Sequence, residues 1–477
     1  MDPSTLPSYA QGSSRSTNTP ASTSANLRPH HSNTTARRPE TTHSYHLTDS
    51  KNRPWLTLSV LSNVSTPHHL PSFTEGDTIR GSVVLDREKE DGIKSISVKV
   101  VGQMTSSVTE VLNFVTVSET LWTAPDPRSS QPGSDRDPVG VHTWPFSIRL
   151  PPRCEIKSAT GALEAFALPA SFSERMARVH IQYQLIATVH RRRFRVDSTL
   201  GTVVGYRPRI RPGEPSIARQ IAYLENTPIP GPDEDPDGWK WLASLPVRGS
   251  VFSTRTVDAT CTLALALPLC YTRGSVIPCV LALEATDPQA LDLLSAPRAP
   301  VVRLLRTVAT GERALETRRG LEFEHERQAL ATAVWRPAAD AVGVGAGGGQ
   351  HPHRRPGRRV LHGEIHLASN LKPTSRLGRF ELSVSLRAPP PVQRIHLHTH
   401  AHAHAHTHPR PQYTVAVYPF SAAAFQPDGD AGAVLQQEPV VVGTVHAPGP
   451  RPRAYSPPSY DDVGSAVGQS TEFRLFR

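Results

Sequence analysis

Residues 457–463 read PPSYDDV: two prolines, a spacer and a tyrosine in the order PPxY. The chemistry open to such a stretch is docking. Pro457 and Pro458 favour a polyproline II helix, which is ordered before binding and so loses little entropy, and Tyr460 offers its ring to the next pocket of a WW domain. In a chain with 46 prolines the same letters also arise by chance, so context must decide. LPSY, with Leu6, Pro7 and Tyr9, is a degenerate copy near the other end, with leucine in place of one proline. Two such sites would engage tandem WW domains, because linkage raises effective affinity without new contacts.

A second kind of chemistry is charge. HRRRFR, residues 190–195, sets Arg191, Arg192, Arg193 and Arg195 together. They form either a charged strand end that blocks aggregation or a basic face for acidic cytoplasmic tails and anionic lipid headgroups. DEDPDG, residues 233–238, begins like a calcium loop, but the twelfth position, which needs a bidentate glutamate, holds Ser244. It reads as a solvated acidic turn. HLHTHAHAHAHTH places histidines from His396 to His408 at every second position, with weak affinity for zinc or nickel and no closed geometry. Cys154, Cys261, Cys270 and Cys279 show no CxxC pair and read as buried, reduced thiols. No GxSxG, HExxH, Walker A or Rossmann fingerprint occurs. The expectation is a binding protein without catalytic residues, resident metal or cofactor.

The net charge of +10 is nearly all arginine, in a chain that is also rich in alanine, proline and glycine. A GC-rich coding sequence yields that mixture by default, so no nucleic-acid partner is expected. The N-terminus has no apolar signal core, and no run approaches the roughly 18 apolar residues of a membrane-spanning helix. A cytoplasmic protein is the expectation, recruited peripherally to the plasma membrane or endosomes.

These side chains need elements to hold them. Residues 1–53 are rich in Ser, Thr, Pro and His and read as a disordered tail. Short alternating runs then begin. Ile79, Gly81, Val83 and Leu85 share one side, as do Ile96, Val98 and Val100. In VHIQYQLIATVH, Val179, Ile181, Tyr183, Leu185, Ala187 and Val189 keep a period of two over six steps, which predicts a strand with one buried face. Helical periodicity is scarce and turn signals are frequent, the pattern of antiparallel β-sandwiches. The boundaries read as a first sandwich over 54–205, a Pro/Gly-rich connector over 206–244, a second sandwich over 245–425 and a disordered tail over 426–477. In the second, Leu263, Leu265 and Leu267 are in phase, and so are Ile277, Cys279, Leu281 and Leu283.

Residues 384–412, which hold the histidine tract, interrupt the second sandwich. Joining Ser383 to Tyr413 gives RFELSYTVAVYPF, in which Phe380, Leu382, Tyr413, Val415 and Val417 alternate without a slip. A valine codon begins with GT and a glutamine codon can end in AG, so the segment reads as a retained intron. The alternative is a long loop between two strands.

FTEGDTIRGSVVLD followed by GIKSISVKVVGQ resembles the opening strands of the arrestin N-domain. GVHTWPFSIRLPP, LPASF and VHIQYQLIATVHR follow in family order. LALPLCYTRGSVIPCVLAL and RVLHGEIHLASNLKPTS resemble segments of the C-domain. With the PPxY tail, the chain is similar to the alpha-arrestins, the arrestin-related trafficking adaptors. The phosphate-sensing core and clathrin-binding tail of visual and beta-arrestins are not recognisable. The resemblance implies an all-β fold of two tandem sandwiches, and a cytosolic adaptor that links membrane transporters or receptors to a WW-domain HECT-type ubiquitin ligase. Cargo ubiquitylation and endocytosis would follow. The alternative is a sorting scaffold like the arrestin-fold subunit of retromer, which recruits no ligase.

Overall fold

Alternation becomes strand pairing in the computed structural model. It describes residues 40–477 apart from 65, 88–91, 107–110, 126–139, 158–161, 175–178, 193–194, 311–325, 338–356, 378–379, 382–412 and 456–477. The first half is all strand: β1 (Thr41–Thr48), β2 (Pro54–Ser62), β3 (Ser72–Thr74), β4 (Thr78–Arg87), β5 (Ile93–Ser106), β6 (Val111–Thr123), β7 (Gly140–Arg149), β8 (Arg153–Lys157), β9 (Leu163–Ala167), β10 (Val179–Arg191) and β11 (Ser198–Arg207). A sheet ordered β1-β2-β4-β7 faces one ordered β3-β11-β10-β5-β6, with β8 and β9 forming a separate hairpin. The inward row of β10 is buried from Val179 to Val189 as its period requires. Each such apolar side chain contributes about 1.5–3 kcal/mol when fully buried. Tyr183 closes the row by donating its hydroxyl to the Pro169 carbonyl at 2.7 Å, while Phe114 meets its ring edge-on.

The second half begins with α1 (Ile217–Glu225), β12 (Trp239–Trp241), β13 (Leu245–Val251), β14 (Arg255–Ala266), β15 (Cys270–Thr272), β16 (Val276–Ala285) and α2 (Pro288–Leu294). It continues through β17 (Val302–Thr310), β18 (Glu326–Thr332), β19 (Val334–Pro337), β20 (Arg358–His366), β21 (Arg376–Leu377), β22 (Phe380–Glu381), β23 (Tyr413–Val417), β24 (Phe425–Pro427) and β25 (Gln436–Gly443). One sheet runs β19-β20-β16-β14-β13-β24, with β12 also on β14. The other joins β15, β25, β23, β17, β22 and β21, with β18 also on β17. A core with members from Ala222 to Val442 lies between them. β16 is buried on both faces over VIPCVLAL, because α2 packs over its outer side through Ala290, Leu291 and Leu294. Two tandem antiparallel sandwiches are therefore the architecture, as the alternation predicts.

Three boundaries differ from expectation. The first sandwich opens inside the expected tail, since β1 pairs along the whole of β2. Its inward residue His43 is 3% exposed and lies 2.9 Å from the Ser62 hydroxyl, so a polar pair fills a place where apolar periodicity would be sought. The connector is not free-standing, because α1 sinks Ala222 and Tyr223 into the second core. The chain beyond 425 is not all tail either. β25 pairs antiparallel with β23 and parallel with β15, burying Val440 and Val442. A three-valine run among prolines and glycines is too short to carry a period by itself.

Candidate functional site

The basic stretch lies at the tip of the β10–β11 hairpin. Asp197 ties that tip: one carboxylate oxygen accepts the Arg191 backbone N–H at 2.8 Å, and the other lies 2.8 Å from His190 Nδ1. The Arg191 amide, then His190, holds this carboxyl below its ordinary range. The Arg191 guanidinium lies 5.8 Å from the Trp55 ring centroid. Arg87 covers the same ring at 4.5 Å. Partial burial lowers the Arg87 pKa first, and the neighbouring Arg191 and Arg195 lower it further. Arg192 and Arg195 are exposed, and Arg193 lies outside the described residues. The fold thus adds Arg87 and Trp55 to the four arginines expected from sequence. The β2–β4 pairing that sets Leu56 beside Leu85 brings them together, a long-range register with no local signal. Cations stacked on an indole form a surface that attracts acidic peptide or anionic headgroups.

The tail is anchored short of PPxY. The Tyr455 N–H donates to both Glu364 carboxylate oxygens at 3.0 Å, and its hydroxyl donates to the Thr227 carbonyl at 2.7 Å. Arg336 lies 5.3 Å from the ring centroid. Arg453 donates to the side chain of Asn226, the left-handed residue that caps α1. Burial raises the Tyr455 pKa, and Glu364 adds to the shift. Pro457, Pro458 and Tyr460 follow within five residues but lie outside the described residues, as do Leu6, Pro7 and Tyr9.

A seam joins the sandwiches. Arg306 of β17 makes two 2.7 Å bonds to the Glu174 carboxylate, and donates to Gln328 at 3.1 Å. Ser375 Oγ accepts the Ala170 N–H, and Leu377 of β21 is fully buried in the first core. Lys372, with its pKa lowered by burial, has Glu174, Arg273, Arg306 and Arg207 around it.

The acidic turn is not solvated at its centre. Asp235 is 8% exposed, accepts the Ser216 hydroxyl, and lies 3.9 Å from buried Arg219. Arg219 in turn donates to the Leu267 and Gly238 carbonyls. All four cysteines are free, and burial pushes Cys154 and Cys270 up to about 11 and Cys261 to about 12. Such thiols are poor nucleophiles. Among the described residues no His, Cys, Asp and Glu group could hold a metal ion, and no helix is long and apolar enough to cross a membrane. The histidine tract His396–His408 lies outside the described residues.

Two sandwiches joined by a salt-bridged seam make up the described part of the chain. The family model for the N-terminal domain of arrestin (or S-antigen) matches residues 63–204. The first sandwich is thus similar to an arrestin N-terminal domain, and the chain is consistent with the arrestin family. A comparison with curated proteins gives no match.

Proposed function

We propose that the protein is an adaptor of the alpha-arrestin type. An arrestin domain supports an adaptor or scaffold role. The finer reading is that the sandwiches bind cytoplasmic segments of membrane transporters or receptors, and that Pro457, Pro458 and Tyr460 recruit a WW-domain HECT-type ubiquitin ligase. Cargo would then be ubiquitylated and internalised by the ligase, with this chain supplying proximity. The observation that carries the reading is the anchor at Tyr455: PPxY begins two residues beyond a tyrosine fastened to the second sandwich. A ligase docked there is held close to the cargo-binding body. The basic tip around Trp55 is the candidate surface for an acidic cargo tail or an anionic membrane.

The test is binding of the full chain to an isolated ligase WW domain by titration calorimetry. Affinity in the micromolar range is expected, about −8 kcal/mol at 1 µM, and Tyr460→Ala or Pro458→Ala should remove at least about tenfold of it. Equal binding by wild type and Tyr460→Ala rejects ligase recruitment and leaves the sorting-scaffold alternative.

A further inference from the structure

Two strands far apart in sequence both pair antiparallel with β17. β23 runs from Val417 opposite Val302 to Tyr413 opposite Arg306. β22 sets Glu381 opposite Ala309 and Phe380 opposite Thr310. β18 pairs with β17 as far as Val308, and β22 pairs with β17 just beyond it.

In an antiparallel ladder the two residue numbers of every pair have a constant total, and that total is the register. It is 719 throughout the β23 pairs and 690 in both β22 pairs. The totals differ by 29, and Val384–Gln412 is 29 residues long. Thr307 and Val308 separate the two paired stretches, and Leu382 and Ser383 are the two residues that remain to face them. Remove residues 384–412 and Phe380 to Val417 becomes one nine-residue strand with no bulge and no slip. A segment of any other length would leave a gap, or an extra residue that the ladder must expel. The described chain leaves β17 at Glu381, opposite Ala309, and pairs with it again at Tyr413, opposite Arg306.

The segment's ends fit the same account. Val384–Ser385 can be encoded as GTRAGT, the preferred start of an intron, and Gln412 as CAG, its usual end. Histidine alternating with alanine and threonine is also what a CA-rich nucleotide repeat spells when translated. We infer that residues 384–412 are a translated intron, and that the working protein joins Ser383 directly to Tyr413. The histidine tract then belongs to no site of the protein.

Two measurements test this. Sequencing of mature transcripts should find messages that join the Ser383 codon to the Tyr413 codon. If every message retains the segment, the inference is overturned. Independently, the thermal midpoint of the chain lacking 384–412 should match or exceed that of the full chain. A chain lacking 383–412 is one residue short in the strand and turns side chains to the wrong face, so its midpoint should fall by at least about 5 °C. A lowered midpoint for the 384–412 deletion, or equal midpoints for the two deletions, overturns the register argument.

Discussion

At the scale of single residues, the tail makes one kind of bond before its motif and offers another within it. Tyr455 is held by hydrogen bonds from its backbone N–H and its hydroxyl, whereas the proposed docking of PPxY relies on stiffness and ring burial. Ser459 lies between the prolines and Tyr460, where a phosphate would bear directly on the proposed docking. A phosphate there adds roughly −1.5 to −2 charge units beside an apolar groove. A phosphopeptide spanning Tyr455–Val463 should bind a WW domain about tenfold more weakly than the unmodified peptide, or about 1.4 kcal/mol. Fluorescence anisotropy decides it, and tighter binding by the phosphopeptide contradicts the proposed docking mode.

At the scale of elements, β10 is the strand on which the first sandwich depends, paired with β5 on one side and β11 on the other. Its two faces should respond differently to the same charge. Tyr183 is fully buried between Phe114 and Tyr206, so Tyr183→Asp puts a carboxylate where no cation waits. The cost is several kcal/mol, a large part of a domain's roughly 5–15 kcal/mol of stability, and soluble expression should be lost. Gln182 is half-buried on the opposite face, and Gln182→Asp should cost no more than about 1 kcal/mol. Soluble yield and thermal midpoint compare the two, and similar outcomes would mean that the side chains do not alternate as stated.

Across the whole molecule, the sandwiches are joined at a seam that includes the bidentate Arg306–Glu174 ion pair, the Ala170–Ser375 hydrogen bond and the apolar side chain of Leu377. Arg306 is 5% exposed, so Glu174→Ala leaves a guanidinium facing the seam without its carboxylate. Because the Glu174 side chain keeps 22% exposure, the expected loss is about 2–3 kcal/mol, at the low end for a broken buried pair. Replacing both partners, Arg306→Met with Glu174→Leu, should recover most of that loss, because the buried guanidinium is then removed together with its carboxylate. Chemical denaturation of the two variants distinguishes an ion-pair seam from one held by Leu377 alone, for which both variants would match wild type.

The sequence by itself determined the strands that alternate, the all-β class, the two sandwiches and the docking letters of the tail. Those features are local: a period of two or a four-residue motif is complete within its own segment. Tertiary structure decided the rest. Trp55 and Arg87 meet through the β2–β4 register, Arg191 of the other sheet reaches the same ring, and Glu174 finds Arg306 across 132 residues. β1 sets a buried His43–Ser62 pair beside Tyr45 and Leu47 in its inward row, and β25 gains its place from β23 and β15 on either side. The break at 384–412 shows both parts at once. Alternation across Ser383 and Tyr413 suggests a single strand, but only pairing with β17 gives the count of 29, because register belongs to the ladder and not to either strand alone.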